Sequence, residues 1–398
     1  MASSTQARRN VLVLTLSLAF NSTAVTVLVV SSALVGQALA EDKALATLPF
    51  SLQFVGTMIA SVPASMIMQR MGRRFGFTLG ALVGILAGGV MTLSIYLGDF
   101  WLFALGNALV GVANGVAQLY RFAAAEAADD HFRAKAISLV LGGGVVAAIV
   151  GGELAKWSVH LLDPYVYAGC FIVIMVLNGI SALQLQMLRI PPLSKEERAT
   201  GGRPLLEIIR QPTYLIALFG AMAAFSVMIM VMTATPIAMV GHDHHFSDAA
   251  FVIQWHAIGM FAPSFVTGWL IGRLGVLNVM LMGVLLFAGC IVANLLGTEI
   301  MNFWVANFLL GIGWNFLFVG ASALLTETYR PAERAKAQAF NDFTVFGVVA
   351  MASLGAGMLY ELVGWAAVNL GGVVPAVGIL GGLIWLKAHR RRALAAAA

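Results

Sequence analysis

The sequence predicts an all-α membrane protein of twelve transmembrane helices arranged as two six-helix halves, and three observations predict it. Of 398 residues, 60% are hydrophobic and only 10% are charged, against roughly 25% charged in a soluble domain. Apolar runs of about 20 residues, the length that crosses a hydrocarbon core of roughly 30 Å as a helix, recur along the whole chain between short polar or Gly/Pro-containing breaks. Matching polar segments also recur about 200 residues apart, the mark of an internal duplication.

The runs fall at 11–37, 46–68, 75–97, 100–124, 135–158, 165–188, 212–238, 248–271, 276–297, 301–326, 336–359 and 364–386. The first follows Arg8 and Arg9 and ends near Ala38-Leu39-Ala40, which resembles a signal-peptidase site. It is longer than the roughly 7–15 residue apolar core of a leader, so it is read as a retained span. Cys170 and Cys290 sit singly inside apolar runs with no CxxC or His/Cys spacing, and packing accounts for them.

The breaks set the orientation. With loops assigned alternately to two sides, Arg70, Arg73, Arg74, Arg133, Lys135, Arg189, Lys195, Arg198, Arg203, Arg210, Arg273, Arg330, Arg334, Lys336, Lys387 and Arg390–Arg392 fall on the side of the N-terminus, and only Lys43 and Lys156 on the other. This satisfies the positive-inside rule with both termini cytoplasmic, in a bacterial inner membrane with lipid around the spans. The net charge of +5 is thereby assigned to topology and not to nucleic acid. The polar stretch 189–211, with Pro191, Pro192, Lys195-Glu196-Glu197-Arg198 and Gly201-Gly202, reads as a cytoplasmic linker between halves 1–188 and 212–398, the second ending in a basic tail.

The duplication is visible in particular residues. Glu126 precedes Arg133-Ala134-Lys135-Ala136 by the spacing at which Glu327 precedes Arg334-Ala335-Lys336-Ala337, and Asn114 corresponds to Asn315. Arg70-Met71-Gly72 and Arg273-Leu274-Gly275 each close the second span of a half.

At Ser65–Arg74 (SMIMQRMGRR) the chain resembles the major facilitator superfamily, whose loop motif reads glycine, three residues, aspartate, arginine, any residue, glycine and two basic residues. Ser65 and Gln69 depart from it; the second copy keeps Gly268 and has Gly272 at the aspartate place. The resemblance covers essentially the full length. It implies alternating access by two rocking halves and a charge-paired cytoplasmic gate, carried here by Arg70, Arg73, Arg74 and Arg273, with Glu126 expected beside Arg133 and Glu327 beside Arg334.

Polar groups at membrane depth are costly and so are candidates for the translocation path: Asn21, Asn114, Gln118, Arg121, Gln254, Trp255, Asn315 and Asp342. Arg121 either meets a substrate anion or snorkels to the interface; the asparagines also suit interhelical hydrogen bonds. Glu153 is a second acid within a span.

The seventh and eighth spans hold the sharpest pattern. Met228 and Met232, like His256 and Met260, are four residues apart, which puts each pair on one helix face. Counting about 1.5 Å per residue from the connection 241–247 places the pairs roughly 9–18 Å deep, in one layer. Thioether and imidazole donors suit cuprous copper and not magnesium or calcium; packing is the plainer reading of the methionines alone. The patterns are similar to those of copper-importing members of the superfamily that supply haem-copper cytochrome oxidase assembly, and this implies copper-binding roles for Met228, Met232, His256 and Met260. His242, His244 and His245 either collect metal at the periplasmic mouth or form a solvated turn.

The expected function is therefore copper import by a monomeric secondary transporter, with copper as cargo and no permanent cofactor. Enzymatic activity is not expected, because neither a nucleotide-binding loop nor a nucleophile with its base is present. Riboflavin transporters are close to that branch, so a rival cargo is riboflavin or another small organic solute, stacked on Trp255, Trp314, Phe225 or Phe251. A second rival is a non-transporting membrane sensor or assembly partner.

Overall fold

The computed structural model describes residues 4–42, 45, 48–129, 131–191 and 202–397. Lys43, Lys195, Arg198 and the linker segment 192–201 lie outside them. Among the described residues there are helices and no strand, as a chain without water at its surface requires, because only helices and closed barrels satisfy their own backbone.

In chain order the helices are α1 (Ser4–Leu39), α2 (Leu48–Met71), α3 (Arg73–Leu97), α4 (Phe100–Ala117), α5 (Tyr120–Ala127), α6 (Arg133–Gly142), α7 (Gly144–Ser158), α8 (Ala168–Leu185), α9 (Leu205–Ile209), α10 (Pro212–Gly241), α11 (Phe246–Phe261), α12 (Ser264–Leu274), α13 (Val276–Leu296), α14 (Ile300–Thr326), α15 (Arg334–Val363), α16 (Trp365–Gly371) and α17 (Val373–Ala397). Among the described residues, ten helical stretches are long and apolar enough to cross a membrane, and eleven if the bent pair α11–α12 is one span. The helix α15 stands at the remaining expected position.

Four expected spans are interrupted, among them the last, 364–386, at Gly372 between α16 and α17. The run 248–271 divides into α11 and α12, bent by 41°, because Pro263 has no N–H to continue the ladder. The fourth run steps at Gln118 and Leu119 between α4 and α5, and the fifth at Gly143 between α6 and α7. The tight turns after α2 and α12 use Gly72 (φ 89°) and Gly275 (φ 85°), a region closed to most L-residues. The two copies of the Arg-x-Gly segment are therefore the same structural device.

The helices pack into two compact units, which differ from the chain halves by an exchange of two segments: Met1–Ala128, Gly143–Gly202 and Arg330–Ala350 form the first, and Asp129–Gly142, Arg203–Tyr329 and Met351–Ala398 the second. In the first, α4 packs on α2 and α3, and α1 on α7 and α8. Small residues permit the close approach: Gly56 lies on the Ala108 carbonyl and Gly111 on that of Gln53. In the second, α14 is central and packs on α10, α11 and α13. A Cβ on Gly311 would meet the His256 carbonyl at 2.5 Å, and one on Gly259 would meet that of Phe308 at 2.9 Å. The crossings α2–α4 and α11–α14 are thus equivalent, with Gln53 and His256 at matching places.

Candidate functional site

The first unit contains two buried charge clusters. Glu126, at the end of α5, accepts from Arg73 at Nη2 and, at 3.1 Å, Nε, and from Arg334 Nη1 at 3.0 Å. Arg73 also donates to Gln338 Oε1 at 2.8 Å. This corrects the expected pairing of Glu126 with Arg133: the chain leaves α5 in extended conformation at Ala128, while α15 brings Arg334 across. Glu327 likewise pairs with Arg390 at 2.8 Å and not with Arg334. Arg74 donates to Gln186 at 3.1 Å, and Arg273 lies over the Trp269 ring. Of the four loop arginines expected at the gate, Arg73 is the one brought to Glu126.

The second cluster is an ion pair between Arg121 Nη2 and Asp342 Oδ1, 2.6 Å long, with both side chains 1% exposed. Arg121 also donates to the Gln118 carbonyl (2.6 Å) and Oε1 (2.9 Å) and lies 4.3 Å from the Phe122 ring centroid. Asn341 donates to Asp342 Oδ1 at 2.9 Å. Arg121 therefore neither snorkels nor presents an unbalanced charge to an anion; burial of both groups makes the pair obligatory. Asn21 donates to Asn114 at 3.1 Å, and Asn114 to Thr57 at 3.4 Å. Glu153, by contrast, is exposed and paired with Lys156.

The second unit is the opposite in character. Its helices α10 and α14 carry no charged residue, and α11 carries only Asp248, in its first turn. A polar chain crosses them: Asn307 Nδ2 donates to Thr235 Oγ1 at 3.3 Å, and the Asn307 carbonyl is 2.8 Å from His256 Nδ1. A carbonyl can only accept, so Nδ1 carries the proton and Nε2 holds a lone pair. His256 is fully buried, and Nε2 has no partner; Asn307 Oδ1 and Trp314 Nε1 are buried and unpartnered as well. Around them, the Trp314 ring meets Phe225 at 5.3 Å, Phe261 at 6.0 Å and Phe318 at 4.9 Å.

This chain of contacts sets heights. From Thr235, Met232 and Met228 lie about 4.5 and 10.5 Å along α10, and Met260 lies about 6 Å along α11 from His256. The four expected donors thus share a layer, with Met228 buried and Met232 and Met260 half-buried. Asn315 is consumed structurally: it donates to the Met260 carbonyl (2.6 Å) and Ser264 Oγ (2.5 Å) and accepts from Thr267 (2.6 Å), bracing the bend at Pro263. Gln254 is exposed, nearly opposite His256 on α11, and so leaves the expected path. Trp255 packs with Trp304 and Phe308, beside the exposed Phe251.

The loop histidines disperse. His242 Nδ1 is 2.7 Å from the Ala238 carbonyl, His244 Nε2 is 2.6 Å from that of Thr298, and His245 caps α11 in a reciprocal pair with Asp248. No group of three His, Cys, Asp or Glu side chains suited to a metal occurs among the described residues. The loop is built as a turn and a helix cap.

Sequence reasoning passed over Gln53. It is 2% exposed, and its Oε1 is buried without a partner, like Nε2 of His256. The signal was present, because the sequence offset relating Arg70–Gly72 to Arg273–Gly275 also relates Gln53 to His256.

Helical spans, duplicated crossings and charge clusters buried at membrane depth define a polytopic membrane protein of the secondary-transporter class. The family model of the Major Facilitator Superfamily matches residues 12–293 and 218–397, and the chain belongs to that superfamily. It is 43% identical over 371 residues to the riboflavin transporter RfnT of Brucella anthropi, covering 93% of both chains. It is 26% identical to the uncharacterized MFS-type transporter YdeG of Bacillus subtilis, over 96% of this chain and 92% of that one. Among solved structures, the transporter FucP in its outward conformation matches with a TM-score of 0.76 at 15% identity over 95% of this chain and 97% of that one. The human organic anion transporter MFSD10 matches with a TM-score of 0.76 at 13% identity, over 95% and 99%. These two likenesses concern the fold.

Proposed function

We propose that the protein is a secondary transporter that carries riboflavin, or an uncharged heteroaromatic solute close to it, into a bacterial cell across the inner membrane by alternating access, acting as a monomer with both termini in the cytoplasm. The observation that carries this reading is the 43% identity to a riboflavin transporter along nearly the whole of both chains. The chemistry of the second unit agrees with it. Around Trp314 lie aromatic rings and polar atoms of neutral side chains, which suits a planar solute that stacks and hydrogen-bonds and carries no charge. This reverses the order expected from the resemblance to copper-importing members of the superfamily, which put copper first.

Cuprous copper is the second reading. His256 favours it, since an imidazole whose Nδ1–H is fixed by a carbonyl and whose Nε2 is bare is oriented as metal-ligating histidines are, with Met260 one turn away. The test uses a riboflavin-requiring bacterium without its own flavin carrier. Expression should restore growth on low riboflavin and leave cellular copper unchanged, and Met228→Leu with Met232→Leu should alter flavin uptake by less than about threefold, as volume-conserving changes do. Absence of rescue, together with copper accumulation that collapses in the methionine variants, would replace the flavin reading by the copper one.

A further inference from the structure

Five buried polar atoms among the described residues of the second unit have no protein partner: Asn294 Oδ1 lies on α13, Trp304 Nε1 belongs to the ring packed on Trp255 and Phe308, and the other three are His256 Nε2, Asn307 Oδ1 and Trp314 Nε1. At membrane depth there is no bulk water to complete them, and each such atom is costly to leave open. The last three belong to α11 and α14, which touch where Gly311 meets the His256 carbonyl. Asn307 and Trp314 are seven residues apart, two turns on one face of α14. Two of these three atoms are acceptors: Nε2, because Nδ1 holds the proton toward the Asn307 carbonyl, and Oδ1, because the amide nitrogen of Asn307 is turned to Thr235 and the Phe303 carbonyl. The indole N–H is a donor.

An open acceptor also recurs at the equivalent position of the first unit, Gln53 Oε1. Two different side chains, an amide and an imidazole, keep the same unfilled function at duplicated positions. Packing alone does not ask for that, since a leucine would fill the space without leaving a polar atom unpaired.

We propose that His256 Nε2 is the specificity-determining acceptor for a ring N–H of the solute, namely the imide N–H of a flavin's pyrimidine ring, and that Trp314 Nε1 donates to a carbonyl of the same ring. This rests on the flavin reading and deepens it. The pattern asks of the solute both a donor and an acceptor, and the absence of Lys and Arg from α10, α11 and α14 leaves a phosphate bound among these three helices without a counter-charge on them. Phosphorylated flavins are therefore refused and free riboflavin accepted.

The test is competition for labelled riboflavin uptake by the purified full-length protein in liposomes, with riboflavin, N3-methylriboflavin and riboflavin 5′-phosphate as competitors. The methyl group removes the one N–H that His256 would receive and keeps the ring. The wild type should need about tenfold or more of the methylated compound or of the phosphate for equal inhibition, the effect of one buried hydrogen bond or an unpaired charge. His256→Gln, which supplies the acceptor found at Gln53, should keep the preference over the methylated flavin, and His256→Leu should reduce it to within about twofold of none. Equal inhibition by the two neutral flavins in the wild type, or a preference that survives in His256→Leu, overturns the assignment while the flavin reading stands. No flavin uptake by the wild type removes both. The wild-type comparison needs no variant to fold.

Discussion

Replacing Asp342 by asparagine should destabilise the first unit by about 3 kcal/mol, the lower end of the roughly 3–5 kcal/mol found when one partner of a buried ion pair is removed. The lower end applies because the stranded Arg121 keeps two acceptors, the carbonyl and Oε1 of Gln118 at 2.6 and 2.9 Å, and the Phe122 ring at 4.3 Å. Arg121→Leu should cost more, about 4–5 kcal/mol, since Asp342 Oδ2 already lacks a partner and the carboxylate would retain only Asn341. The double variant Arg121→Leu with Asp342→Leu removes both charges and should lie within about 1–2 kcal/mol of the wild type, giving a coupling energy of several kcal/mol. Equilibrium unfolding of the purified protein in mixed micelles of increasing SDS content, followed by tryptophan fluorescence, measures all four species. Single variants that cost less than about 1 kcal/mol, or a double variant as unstable as the sum of the singles, would show that the pair is not closed to water as its 1% exposure indicates.

Glu126→Gln takes the carboxylate from Arg73 and Arg334 together, and should lower the thermal midpoint and raise thiol-reagent labelling of a cysteine placed at Ala335; unchanged labelling would mean that the cluster latches nothing. Gly72→Ala and Gly275→Ala each force an L-residue to a φ near 85–89° and should cost about 1–2 kcal/mol apiece in the same SDS titration; a cost near zero would place those turns elsewhere. Gly268→Leu should impair uptake strongly at normal membrane abundance, because its Cβ would meet Lys135 Cα at 2.5 Å and the Ala134 carbonyl at 3.0 Å; wild-type uptake would show that α6 and α12 need not approach.

Much of the fold was legible because lipid imposes a simple rule: every span must be an apolar run, and every break reveals itself by polarity and positive charge. The duplication was legible too, since Gly72 and Gly275 answer the same backbone demand and so recur with their arginines. Partner choice was not. Arg121 and Asp342 are 221 residues apart, and Glu126 reaches Arg73 and Arg334 in preference to Arg133 beside it; such pairs are decided by which helices cross, and a local reading sees only neighbours. The bend at Pro263 was written in the sequence as a proline within an apolar run, but its brace, Asn315, looked like a translocation residue because a satisfied asparagine and a free one are the same letter. His256 and Trp314 were both recognisable as candidates. What spacing lacked was the state of their nitrogens, which depends on the Asn307 carbonyl, and hence a reason to weigh a hydrogen-bonded ring against a metal ion.

The central claim is that the cargo is an uncharged flavin. Its most direct test is entry of labelled riboflavin, in parallel with cuprous copper, into liposomes containing the purified protein and into liposomes without it. The account predicts saturable riboflavin entry that unlabelled riboflavin suppresses and copper does not, with copper entry no faster than in empty vesicles. Protein-dependent copper entry with riboflavin entry at the empty-vesicle level would contradict it.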